Sequence, residues 1–388
     1  MGGCRKCILQ GMETSISLFF KEIKDPRISR HKLYPLEEIL LVALSCLICG
    51  GEGYDDMQDY GETKLMTMRQ VYPYANGIPS SDTFRRVFML LDHEHFANCF
   101  ARWMESLHQR MGAEIVAIDG KAALGSQGER KSPVHMVSAW CHERGVVMGQ
   151  VATDEKSNEI EAIPRLLKLL DIEGSVVTID AMGCQRDIAK AIVDRKADYV
   201  LALKGNQSTL HQYVKDFFDA HRVDGWREAR FDHNESSDKG HGRLETRTVT
   251  VTDDLDGAIM LQQKKWPLLR TVVEVTSVRT IKGNTSQERR YYISSLAPEA
   301  AKIAYAVRAH WSIENQLHWT LDVTFGEDDS LIRKGHGPQN LTILRHTAVS
   351  LLKAEKNSKR SMPKKSKLAA WTDDYLIKLY SKTPYFGF

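Results

Sequence analysis

Ile115-Val116-Ala117-Ile118-Asp119-Gly120-Lys121, read beside Val176-Val177-Thr178-Ile179-Asp180-Ala181-Met182-Gly183, decides the fold. Each is a short apolar run rich in β-branched residues, and each ends at an aspartate. Runs of this length bounded by turn residues read as buried strands. Outward from the first run, strands are expected over 115–119, 134–142 and 146–153, the last two joined by a turn at Glu143-Arg144-Gly145. A helix over about 159–171, capped by Ser157 or Asn158, leads to the second run, a strand over 175–180. A helix over 186–196 and a strand over 199–203 follow. Three strands in hairpin order, then helix and strand in alternation, specify an α/β (α+β) chain with a mixed sheet covered by helices.

That order matches a ribonuclease-H-like fold, in which one acid lies on the first strand and a second ends the fourth. An aspartate at the end of a buried strand is held rigidly yet reaches over the sheet edge, where a hard cation can sit. A third carboxylate, Glu314, lies in His310-Trp311-Ser312-Ile313-Glu314-Asn315, on a helical stretch expected from about 298 to 322. Glu314, His318 and Asp322 are spaced by four and so fall along one helix face. Two strand-borne aspartates and a helix-borne glutamate are oxygen ligands suited to two Mg²⁺ ions, the equipment for in-line phosphoryl transfer.

Between Asp180 and Glu314 lie 314 − 180 = 134 positions, too many for a simple loop. After a helix over 208–221, alternating polar and β-branched residues predict strands over 227–232, 245–252, 271–280 and 289–294, a β-rich insertion at about 222–297. Residues 12–112 read as a helical domain with breaks at Pro26, Gly50–Gly53, Pro73–Pro79 and near Gly112. Within it, a helix over 54–72, a turn, and a helix over 83–91 bearing Arg85 and Arg86 could form a helix-turn-helix variant or two core helices. Residues 1–11 read as a disordered extension, 113–352 as the catalytic domain, and 353–388 as a basic tail.

Composition narrows the class. The chain has 388 residues, 42% hydrophobic and 27% charged, enough for two or three domains with an ample core. The apolar run over 39–49 is too short to span a bilayer, and the opening residues lack a signal-peptide core, so no membrane partner and a cytoplasmic location are expected. The net charge of +3 is modest, but residues 353–367 hold seven Lys/Arg against one Glu, either a solvated end or a phosphate contact. Among seven cysteines, Cys4-x-x-Cys7 and Cys46-x-x-Cys49 have zinc-ligand spacing. The second pair lies inside an apolar helix, which argues for reduced, buried thiols instead.

The motifs around Asp119 and Asp180, with Tyr199-Val-Leu-Ala-Leu-Lys204-Gly-Asn-Gln207, His241-Gly-Arg243-Leu-Glu245-Thr-Arg247 and Trp311-Ser-Ile-Glu314-Asn315-Gln-Leu-His318-Trp319-Thr-Leu-Asp322, resemble the DDE transposases of bacterial insertion sequences. The branch that includes the H-repeat-associated proteins is the most similar, over about residues 16–352. The resemblance implies a ribonuclease-H-like core with flanking helices, a β insertion before the last catalytic helix, and an N-terminal helical domain. It implies Asp119, Asp180 and Glu314 as catalytic metal ligands for two Mg²⁺ ions, with Mn²⁺ able to substitute. The partners implied are double-stranded DNA, as terminal inverted repeats and target, and a second copy of the chain on that DNA.

A related group carries Arg four positions before the glutamate and Lys seven after; this chain has His310 and Leu321 there, with Arg308 a displaced stand-in. Lys204, Arg243, Arg247, Arg85, Arg86 and Arg308 are candidate DNA contacts, against the plainer roles of surface charge and ion pairing. Trp319 is expected in the core, with base stacking as its alternative. Three functions compete: a transposase that cuts and joins DNA, a DNA-binding remnant that occupies terminal repeats, and a general nuclease.

Overall fold

The computed structural model describes residues 15–28, 32–107, 114–128, 132–153, 158–227, 229–240 and 242–381. Cys4, Cys7, the 1–11 extension, the Ser157 cap, the break near Gly112 and His241 lie outside them. The chain divides into two compact units, one of residues 1–110, 120–158 and 314–388, the other of 111–119 and 159–313. It passes between them immediately after Asp119 and immediately before Glu314.

The first unit holds α1 (Ser15–Lys21), α2 (Leu36–Ile48), α3 (Tyr54–Thr63), α4 (Leu65–Met68), α5 (Ser81–Leu90) and α6 (His93–Ser106). It also holds the end of β1 (Ile115–Ala123), the hairpin of β2 (Val134–Cys141) and β3 (Val146–Thr153), α12 (Trp319–Val323), α13 (Gly337–Ala354), α14 (Met362–Trp371) and α15 (Asp373–Ser381). Its centre is α13, buried at every residue from Gly337 to Leu352 and packed on α2, α5, α6 and β3. The Asn340 amide donates to the carbonyls of Phe88 and Leu91, meeting orphan acceptors at the end of α5. α2 is buried on every face from Glu38 to Ile48, and apolar there apart from Glu38 and Ser45. Cys46 and Cys49 are free thiols at its end, and burial pushes the Cys49 thiol up to about 11.

The region read as a tail is folded from 362 to 381. Ser366 donates to the Ile48 carbonyl, and Asp373 pairs with Lys64 at 2.8 Å. Lys365 is buried and donates to the carbonyls of Leu352 and Glu355, so at least this basic residue serves the fold. The helix expected over 54–72 is broken into α3 and α4, and Tyr74 beyond it is buried, its N–H donating to Glu38 at 2.7 Å.

The second unit holds the start of β1, α7 (Glu159–Lys168), β4 (Val176–Ile179), α8 (Arg186–Val193), β5 (Asp198–Leu203) and α9 (Ser208–Val223). It continues through β6 (Asp232–Gly240), β7 (Arg243–Thr252), α10 (Gly257–Gln263), β8 (Thr271–Ile281), β9 (Asn284–Ser294) and α11 (Ala300–His310). The described strands form one mixed sheet in the order β3-β2-β1-β4-β5-β9-β8-β7-β6. β1, β4 and β5 are parallel neighbours, whereas β2–β3 and the run β5-β9-β8-β7-β6 are antiparallel. The first five strands thus have the 3-2-1-4-5 order of the expected ribonuclease-H-like core.

The β-rich insertion is not a separate sheet, because β9 pairs with β5 and carries the others outward. Its first strand is β6, beginning at Asp232, where 227–232 was expected. One face of the sheet is covered by α11, whose Ala300, Ile303, Ala306 and Ala309 pack on Ile115, Val176, Val200, Val249 and Val275. Three alanines in that stripe let the helix approach the strands closely.

Candidate active site

The last paired residues of β1 and β4 are Ile118 and Ile179, so Asp119 and Asp180 are the next residues on two adjacent parallel strands. Neighbouring strands lie about 4.8 Å apart, which puts the two aspartates side by side. They share the face of Ile115 and Val176, the face that α11 covers, because side chains two apart on a strand point the same way. Asp119 is not strand-terminal as expected, since β1 runs on through Gly120 and Lys121 to Ala123. Both carboxylates are half-buried.

The backbone beyond β4 folds back to orient Asp180. The N–H groups of Met182 (3.0 Å) and Gly183 (3.3 Å) both donate to Asp180 Oδ1. Gly183 has no substitute here, because an added Cβ would fall 2.3 Å from Ile179 Cγ2. Asn206 donates to the Ala181 carbonyl, and Gln207 to that of Cys184 at 3.1 Å. The Lys204-Gly-Asn-Gln segment therefore buttresses the loop behind Asp180, a role for Asn206 and Gln207 that composition did not signal. Lys204 itself is exposed beside this loop.

α11 ends at His310, whose Nδ1 lies 3.1 Å from Thr178 Oγ1, two residues before Asp180 and on the same face. Burial lowers the His310 pKa, so the ring is neutral. The residues after it do not continue as α-helix. Ile313–His318 is a π-helix, and α12 resumes at Trp319. Its i→i+5 bonding widens the turn that carries Glu314 and His318, and Asp322 follows on the α-helix beyond it. Single π-turns inside helices are frequent at functional sites. Glu314 is exposed on this turn, and Trp319 is 52% exposed, not in the core.

Lys121 lies nearly buried among Asp322, Glu327 and Asp328. Burial works against its charge, but Glu327, Asp322 and Asp328 together hold its pKa above the usual lysine value. In the same unit His346 is buried and His318 half-buried, and desolvation pushes both down to about 3, so both are neutral.

The candidate DNA contacts are dispersed. Arg247 reaches Glu245 at 2.6 Å and Asp238 at 3.0 Å, Arg243 reaches Glu245 at 3.3 Å, and Arg308 reaches Asp238 at 2.7 Å. Burial tends to raise the Glu245 pKa, but Arg247, Arg279 and Arg243 outweigh it and hold it below the usual range. Arg279 and Arg290, the latter over the half-exposed Trp311 ring at 5.3 Å, join this arginine-rich face. On α5, Phe84, Val87 and Phe88 are buried while Arg85 and Arg86 are exposed, Arg85 paired with Asp82 at 2.7 Å. Arg85 borders a groove of about 450 Å³ with Arg333 and Lys334, two cations passed over in the sequence.

Among the described residues no three His, Cys, Asp or Glu side chains are grouped so that they could hold a metal ion. What the structure brings together is the aspartate pair. Mg²⁺ commonly takes one or two carboxylates, substrate phosphates and water. A pair of hard oxygen donors at adjoining strands therefore fits such an ion.

Residues 18–104 match the DDE_Tnp_1-associated family, and residues 92–351 match the transposase DDE domain. The chain belongs to the DDE transposase family. The candidate transposase YncI of Escherichia coli O157:H7 is 38% identical over 375 residues, covering 95% of each chain. The H repeat-associated candidate transposase YhhI of E. coli K12 is 38% identical over 349 residues, 88% of this transposase and 91% of that protein. A piggyBac transposase synaptic complex with hairpin DNA covers 95% of this chain and 80% of its own, at 12% identity and a TM-score of 0.48. The family acts in DNA transposition and generally uses divalent metal ions. No helix among the described residues is long and apolar enough to cross a membrane.

Proposed function

We propose that this transposase cuts DNA at the terminal inverted repeats of its insertion sequence and joins the freed 3′ ends to target DNA. Asp119, Asp180 and Glu314 would hold two Mg²⁺ ions, or Mn²⁺ in their place, which when bound lower the pKa of the attacking water and stabilise the leaving 3′ oxygen. The observation that carries the reading is the pairing of β1 with β4, which sets Asp119 beside Asp180 under the end of α11. Asp180 is oriented through one oxygen by two backbone N–H groups, so its carboxylate direction is fixed before substrate arrives. His310, neutral and bonded to Thr178, adds no positive charge beside the aspartates.

Lys204, Arg243, Arg247 and Arg308 would meet phosphates around the reacting strand, while Arg85 and Arg86, in the helical region 12–112, would contact the repeat. Lys359, Arg360 and Lys364 of the basic 353–388 segment remain suited to backbone contact. Two copies would assemble on the paired ends, in the bacterial cytoplasm.

The test is a cleavage assay on the genomic repeats flanking the element, with Mg²⁺ or Mn²⁺, comparing the wild type with Glu314→Gln. Nicking by the wild type that the variant loses supports the reading. Equal nicking by both sinks it. Footprinting without cutting under both metals would mark a remnant that only occupies the repeats, and cutting that ignores the repeats would mark a general nuclease.

A further inference from the structure

Lys121 stands two residues beyond Asp119 on β1, with its side chain only 10% exposed. Its ammonium meets Asp322 at 2.8 Å, Asp328 at 3.0 Å and Glu327 at 3.3 Å. An exposed lysine–carboxylate pair contributes little, but a nearly buried cation facing three carboxylates is a different case. If the cation is removed, Asp322, Glu327 and Asp328 lose the ammonium they share, and Glu327, at 2% exposure, keeps Arg345 at 3.9 Å as a cation.

The three partners belong to the chain that leaves the π-turn. Asp322 is on α12, eight residues after Glu314, and Glu327 and Asp328 follow in the next turn. Further contacts fix the same junction. Asp328 also accepts the Leu124 N–H at 3.1 Å, and Glu327 accepts from Thr342 of α13 at 2.9 Å. Gly125 lies so close to this turn that an added Cβ would fall 2.5 Å from the Ser330 carbonyl oxygen.

We propose that Lys121 is a positioning residue for the metal site: its ammonium locks the strand that carries Asp119 to the chain that carries Glu314. The inference rests on the proposed metal-dependent reaction and adds to it a device that holds the end of β1 to the chain following Glu314. Lys121 touches neither ion nor substrate. It acts by making the segment after Glu314 move with β1, so that a shift of one shifts the other.

The test reads metal binding apart from cleavage. Mn²⁺ is titrated into the full chain and free Mn²⁺ is followed by electron paramagnetic resonance. Each protein is paired with its own Asp119→Ala version, so that ions held by exposed carboxylates cancel. Loss of an outer-shell partner typically weakens a metal site by about 10–100-fold, and that is the drop expected in Asp119-dependent affinity for Lys121→Met. Asp322→Asn, altering a partner 37% exposed, should shift it the same way by less. Wild-type affinity in a folded Lys121→Met protein would overturn the inference. If that variant does not fold, wild-type affinity in Asp322→Asn overturns it.

Absence of any Asp119-dependent binding in the wild type would remove the metal site and this inference together. Asp119-dependent binding without cleavage of the repeats would instead defeat only the proposed reaction, and Lys121 would still be judged by affinity.

Discussion

Gly125→Ala is the sharpest perturbation that the fold offers. A Cβ there would lie 2.5 Å from Ser330 O, 2.7 Å from Ser330 N and 2.8 Å from Asp328 O. All three are backbone atoms, so no side chain can swing aside. Carbon normally approaches such atoms no closer than about 3.5 Å, so the turn at 328–330 must retreat from the end of β1. The retreat stretches the Leu124 N–H bond to Asp328 and the Arg333 bond to the Gly125 carbonyl, 3.2 Å long. Overpacking costs about 1–3 kcal/mol, and weakening one of these hydrogen bonds adds about 1 kcal/mol.

The expected loss is therefore about 2–4 kcal/mol, read from urea unfolding of the full chain. Gly205→Ala is the control, because a Cβ at Gly205 meets nothing within 4 Å. The same alanine should be nearly silent there. Gly125→Ala protein that unfolds at the wild-type urea concentration would refute the close approach, and with it the tight junction around Lys121.

Other outcomes follow from the same contacts. His318 and His346 are held at about 3 in the fold, against about 6.5 in the unfolded chain. The unfolded state then binds more protons below pH 6.5, so stability should fall with falling pH from about 6.5 towards 3, by up to about 1.4 kcal/mol per pH unit for each ring; flat stability between pH 6.5 and 5 would contradict their burial. Lys365→Ala strips two carbonyls of their donor and should cost about 2–3 kcal/mol while leaving the salt dependence of DNA binding alone. Lys364→Ala should do the reverse, lowering the salt slope by about one, as filter binding over a salt series would show. Asn206→Ala should slow cleavage about tenfold without unfolding the chain, since it frees the loop behind Asp180; an unchanged rate would separate that loop from the chemistry.

The core strands were legible because burial wrote them into the sequence. β3 falls at 146–153 as expected, and β4 lies within the expected 175–180, since both are apolar and bounded by turn residues. β1 was cut short at Asp119 because Gly120 and Lys121 break the apolar pattern; the charge of Lys121 is satisfied by residues some 200 positions away, which no local window sees. β6, Asp-His-Asn-Glu-Ser-Ser-Asp-Lys-Gly, has almost no strand propensity and is a strand because β7 pairs with it residue for residue. The basic stretch after 353 concealed α14 and α15, whose lysines include one buried against carbonyls. The aspartates of the site could be named from their strands, but the π-turn under Glu314 has no signature in an apolar repeat. The positions of Asn206 and Gln207 likewise depend on a loop more than twenty residues earlier.

Anomalous X-ray scattering from Mn²⁺, in crystals of the full chain bound to a terminal-repeat duplex, tests the central claim most directly. Manganese peaks within about 2.1 Å of carboxylate oxygens of Asp119, Asp180 and Glu314 are the predicted result. Manganese bound elsewhere, with DNA in place and these three carboxylates bare, would contradict it.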